Sequence, residues 1–241
     1  MLRFTLPALI FITSFSAASA APGVSLQLGD GAEGVSSGIQ ILILLTVLSV
    51  APSILLMTTS FVRFVIVFGM LRTAMGVGQL PPTQVLIGLS LILTFVVMQP
   101  TFKEINDKAL QPLLNQEINE IQFIDEAKKP LRAFMLAQTS EEEIRMALKV
   151  SNLGQPESAD DLPSQVLIMG FMLSELKKAF QIGFMLFLPF VVIDMISATA
   201  LVSIGLMFLP PTTISLPFKV VLFVLIDGWS ILSEGLVRGF N

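Results

Sequence analysis

The chain has 241 residues, 54% hydrophobic and only 13% charged, with a formal net charge of −4. A soluble globular domain carries about 25% charged residues, so the composition points to a membrane protein. The absence of Cys and His excludes disulfides, thiolate or imidazole metal centres, and Ser-His-Asp or Cys-His nucleophilic catalysis; no cofactor, catalytic set or nucleic-acid partner is expected.

Residues 1–20 read as a secretory signal. Arg3 supplies the positive start, Leu6 to Phe15 is a short apolar run, and Ala18-Ser19-Ala20 is a small-x-small pattern that places the cut between Ala20 and Ala21. Residues 21–38, rich in Gly, Ser and Ala, are expected to form a flexible mature N-terminus outside the cytoplasm.

The first two hydrophobic spans fall within 39–99. A span needs about 20 apolar residues, and Ile39 to Phe61 qualifies, with Pro52 as a kink. Apolar character resumes after Arg63 and runs to Leu71, as a bent continuation or the second arm of a hairpin. Gly76, Gly78, Pro81 and Pro82 mark a turn. Val85 to Met98 is the next span, closed by Gln99-Pro100. Arg63 and Arg72 give the intervening loop positive charge without acid, which places it in the cytoplasm.

The charged residues concentrate next. Between Thr101 and Gln165 lie 12 of the 18 acidic and 7 of the 14 basic residues, a local balance of 7 − 12 = −5. Residues 100–165 therefore read as an acidic, helical, extracytoplasmic domain. Ser140 and Glu143 have capping-box spacing ahead of a helix from Glu141 to Val150, with acids first and Lys149 last. Pro130 and the 153–163 segment are breaks.

Residues 166–209 are a third apolar region, too long for one span and interrupted by Glu175, Lys177 and Lys178. A polar loop follows over 210–217. The last span, Val220 to Val237, lies within 218–241 and contains Asp227 and Glu234. Charge at the bilayer centre costs upward of about 2.5 kcal/mol and normally faces protein or a water-filled cavity. Glu175, Asp194 and Lys219 are thus expected to form an intramembrane charge network, with Lys219 as the basic partner of both acids. The fold expected is all-α and polytopic, with helical hairpins and an α-helical extracytoplasmic domain.

Four stretches in order resemble the FliP family of flagellar type III export-gate proteins. They are Thr59 to Arg72 (TSFVRFVIVFGMLR) continued by Pro81 to Leu89 (PPTQVLIGL), Ser174 to Phe184 (SELKKAFQIGF) with Pro189 to Asp194 (PFVVID), Ile214 to Lys219 (ISLPFK), and Leu225 to Trp229 (LIDGW). The resemblance covers nearly all of 40–235. It implies a multi-pass inner-membrane protein at the flagellar basal body that winds with FliQ, FliR and other FliP copies into a helical oligomeric channel. Unfolded flagellar subunits pass through it, driven by the proton-motive force and assisted by FlhA, FlhB and an ATPase. Injectisome relatives generally lack a cleaved signal, so residues 1–20 favour a flagellar member.

The family's loop between its last two spans holds a methionine-rich run that seals the resting channel. The matching positions are Leu206, Met207 and Phe208, of which only one is Met. Flexible Met yields to a passing chain, while Leu and Phe close a pore by dewetting. Two other readings follow from the charges alone. Glu175, Asp194 and Lys219 resemble a transporter's proton relay, although there is no inverted repeat. Asp194 and Asp227 are conceivable as an aspartyl pair, but neither sits in a recognisable catalytic setting.

Overall fold

The computed structural model describes residues 42, 45, 46, 49, 50, 53, 54, 56–154, 156, 158, 159, 161–206 and 208–240, and every regular element among them is helical. The signal segment, the cut at Ala20 and Ala21, the 21–38 tail, Pro52 and Met207 lie outside the described residues. The chain divides into two units, Met1–Ser49 and Val50–Asn241. In the first, the described Leu42, Leu45, Thr46 and Ser49 are helical, with Thr46 Oγ1 donating to the Leu42 carbonyl at 2.8 Å.

In the second unit, the described residues up to Met57 are helical and a turn at 58–60 ends that run, so the first apolar run stops short of Phe61. Helix α1 (Phe61–Met75) then begins afresh. At 15 residues it is about 22 Å long, too short to span. Phe64, Val67, Phe68 and Leu71, one face at helical spacing, are fully buried. The helix ends where Gly76 adopts φ 72, and Gly78 follows at φ 67; both are left-handed positions that glycine takes without a Cβ clash. The expected turn is therefore present, and Arg72 Nη1 braces it by donating to the Thr83 hydroxyl at 3.0 Å and the Pro81 carbonyl at 3.3 Å.

Helix α2 (Thr83–Ile105) does not close at Gln99-Pro100. It runs on through a π turn at Asn106–Leu110 into α3 (Gln111–Leu114), a helical stretch of 32 residues. An interior Pro removes one hydrogen bond and crowds the preceding turn; here the helix tolerates it. Helix α4 (Glu120–Gln138) carries the capping box, with the Asn119 side chain accepting from the Gln122 N–H at 2.9 Å and the Gln122 side chain accepting from the Asn119 N–H at 3.0 Å. Pro130, expected to break the chain, is buried inside this helix.

Helix α5 (Glu141–Val150) forms where expected, but without a capping box. The Ser140 N–H donates instead to Ser174 Oγ at 3.0 Å, and Glu143 turns to Lys177 at 2.9 Å. Tertiary partners outcompete the local cap. Asn152 ends the helix at φ 53, with the Leu153 N–H reaching back to the Leu148 carbonyl at 3.1 Å, a Schellman closure. Met135, Ala147, Leu148, Leu162, Val166, Leu167 and Phe171 make a small core under α4 and α5, and Arg132 fastens the 153–163 segment by donating to the Ala159 carbonyl at 2.7 Å and the Leu162 carbonyl at 2.6 Å.

Helix α6 (Ser164–Ser203) is one unbroken element of 40 residues, about 60 Å long. Glu175, Lys177 and Lys178 do not interrupt it, because each finds a partner on a packed neighbour. A second Schellman closure ends it: Gly205 has φ 78 and the Leu206 N–H donates to the Leu201 carbonyl at 2.9 Å.

The expected loop at 210–217 is instead mostly helix. Helix α7 (Pro211–Leu225) starts on Pro211, a favoured first helical residue. The last apolar stretch is then not one straight span, because α7 and α8 (Gly228–Arg238) meet at a bend of 62°. Among the described residues, two helices are long and apolar enough to cross a membrane, Thr83–Leu114 and Ser164–Ser203, or three if the bent pair counts as one span. The main core joins Phe64, Val67, Phe68 and Leu71 of α1 to Ala179 and Phe190 of α6, Phe223 of α7, and Leu232 and Leu236 of α8. Gly183 lets α1 and α6 approach closely, since a Cβ there would run into Met70.

Candidate functional site: two charged clamps and an apolar loop

The acids of α6 do not share one cation. Glu175 and Asp194 are 19 residues apart on a continuous helix, which is about 28 Å. Each belongs to its own clamp.

In the first clamp Glu175, fully buried, takes a bidentate pair from Arg63, which is 2% exposed. Arg63 Nε donates to Oε2 at 2.8 Å and Nη2 to Oε1 at 2.5 Å. The guanidinium also donates from Nη1 to the Gly239 carbonyl at 3.1 Å and from Nη2 to Gln138 Oε1 at 3.3 Å, and lies 3.5 Å from the Phe240 ring centre. Gln138 Nε2 donates to the Phe240 carbonyl at 3.0 Å, and Lys178 Nζ to the Gln138 carbonyl at 2.7 Å. Four parts of the chain thus converge: the start of α1, the end of α4, α6, and the residues just after α8. Sequence reasoning placed Arg63 in a cytoplasmic loop and matched Glu175 to Lys219. Both were wrong. The missed signal was local, since Arg63 lies on α1 one turn before the core residue Val67, on the same face.

In the second clamp Lys219 donates to Asp194 Oδ2 at 2.6 Å and to the Ala74 carbonyl at 3.2 Å, while the Ser215 hydroxyl donates to Asp194 Oδ1 at 2.5 Å. The expected pairing of Asp194 with Lys219 is present. Ser215 and Lys219 lie one turn apart on α7, so both face α6.

The clamps share a plan. Each joins an α6 carboxylate, a cation from another helix, and a carbonyl at a helix C-terminal end. Arg63 meets the end of α8 and Lys219 the end of α1, where the helix dipole favours positive charge. On α5, hydrogen bonding to and charge from Lys177 hold Glu142 below the ordinary carboxylate range.

Between the clamped helices α6 and α7 lies the loop 204–210. Leu206 and Leu209 are exposed and Phe208 is 100% exposed. Met207 is outside the described residues. The Asp227 carboxylate makes no hydrogen bond or ion pair with any described residue, so nothing links it to Asp194. No group of three or more metal-binding side chains occurs among the described residues.

The profile of the FliP family matches residues 44–236. The flagellar biosynthetic protein FliP of Caulobacter vibrioides is 48% identical over 226 residues, covering 94% of this chain and 85% of that one. The protein of the same name from Bacillus subtilis is 47% identical over 208 residues, covering 86% and 94%. That of Borreliella burgdorferi is 43% identical over 213 residues, covering 87% and 84%. A family-profile match over residues 44–236, together with relatives 43–48% identical over most of the chain, means that this chain belongs to the FliP family.

Proposed function

We propose that this chain is a core subunit of the flagellar type III protein export gate. With FliQ, FliR and further copies of itself it forms the channel through which unfolded flagellar subunits leave the cell. It works in the bacterial inner membrane at the basal body, beside FlhA and FlhB, after removal of its signal, and residues 100–165 face out of the cytoplasm. One observation carries the reading: relatives named as flagellar biosynthetic proteins match this chain over 86% or more of its length.

The geometry supports a passive gate. The second clamp pins the hairpin of α6 and α7 below its loop, and the loop exposes Leu206 and Phe208, the sequence neighbours of Met207. An apolar ring of these side chains, repeated around several copies, excludes water and ions by dewetting. A passing chain displaces it because side chains move without breaking polar bonds. The charges hold the frame, and the apolar tip seals.

Replacing residues 206–208 with Gly or Ser should make cells leak small ions, measured as membrane depolarisation or solute release. Unchanged permeability in a strain that still assembles the protein removes the gate assignment. Deleting the gene should abolish filament export and spare solute uptake. A lost uptake activity with intact filaments would favour ion or small-molecule transport through Glu175, Asp194 and Lys219 instead. Copurification of FliQ-like and FliR-like chains tests the assembly.

A further inference from the structure

Asp227 sits in an apolar stretch, yet neither clamp uses it. Its backbone is left-handed, φ 50 and ψ 52, at the junction of α7 and α8. The Ile226 N–H closes α7 on the Leu222 carbonyl at 3.1 Å, and the Asp227 N–H on the Val224 carbonyl at 3.1 Å. Among residues with a side chain, Asn and Asp tolerate this conformation best. The carboxylate is exposed, does not cap α8, and makes no hydrogen bond or ion pair with a described residue. Glu175 and Asp194, the acids that do carry charge roles, are both engaged by cations.

The next residue has a matching constraint. Gly228 is buried, and a Cβ there would run into the Phe223 ring. Trp229 packs edge-on against Phe223 at 5.3 Å and lies 6.1 Å from Phe68 of α1. The 62° bend thus seats α8 in the main core, and the Gly239 carbonyl beyond its end reaches Arg63.

We infer that Asp227 is a positioning residue: its left-handed backbone, not its carboxylate, sets the elbow between α7 and α8 and so delivers the end of α8 to the Arg63 clamp. The inference and its fluorescence readout rest on this geometry alone; the filament-assembly readout rests on the export reading.

Trp229 is the only tryptophan, so its fluorescence in the purified, detergent-solubilised full chain reports the elbow. Asp227→Asn should keep the native emission maximum and acrylamide quenching, and should support filament assembly. Asp227→Val should raise quenching and abolish assembly, because a β-branched residue disfavours the left-handed state by about tenfold or more relative to Gly. Altered Trp229 emission in Asp227→Asn, or native emission with failed assembly, would show that the carboxylate matters and overturn the inference. So would native emission in Asp227→Val. Should that variant not accumulate, Asp227→Gly decides: native emission and assembly support the backbone role, and their loss ends it.

Discussion

Replacing Glu175 with Ala should destabilise the detergent-solubilised protein by about 3–5 kcal/mol, the cost of leaving one partner of a buried ion pair unmatched. Arg63 is only 2% exposed. Its remaining partners, the Gly239 carbonyl and Gln138 Oε1, are neutral and do not offset a guanidinium charge. The loss should spread beyond the pair, because the same cluster ties α4 and the end of α8 to α6. Replacing both partners with apolar residues of similar volume, Arg63→Met with Glu175→Leu, should recover most of the stability, since it removes the desolvated charge along with the bond. Chemical denaturation of the single and double variants measures both. A Glu175→Ala protein within about 1 kcal/mol of the native one would mean that Arg63 reaches solvent by local opening, and the first clamp would lose its structural role.

Asp194→Ala should be the second large loss, and an asymmetric one. Lys219 is nearly buried and would keep only the Ala74 carbonyl as a partner. An uncompensated buried ammonium costs about 3 kcal/mol or more. Lys219→Met should cost less, about 1–2 kcal/mol, because Asp194 keeps the Ser215 hydroxyl and its side chain is 31% exposed. Both changes loosen the hairpin that carries residues 206–208, so both should reduce motility, with the acid variant worse. Denaturation midpoints together with swimming assays check the order. Equal costs for the two, or a costlier lysine variant, would show that water already shares the Lys219 site.

Part of this arrangement was readable in advance. Asp194 lies between two apolar runs and Lys219 is a cation close to the last span, so burial cost alone paired them. The glycine turn at 76–78 follows from local backbone preference, whereas the helix that starts at Pro211 was expected as a loop. The elbow was also signalled, since Asp-Gly is a turn dipeptide, but the surrounding apolar run hid it. Pro100, Pro130 and Pro217 misled in the other direction, because helix packing outweighs the single hydrogen bond each one removes.

Composition and motif order by themselves determined a His-free, Cys-free membrane protein of helices, its charged middle region, and its resemblance to one family. These properties depend on residue type and on neighbours a few positions away. Only the tertiary structure decided that Arg63 belongs to Glu175, 112 residues along the chain, that α1 is a buried core helix, and that Ser140 is capped by Ser174. Those choices depend on which helix faces meet, and a buried charge takes whichever partner the packing brings within hydrogen-bond reach.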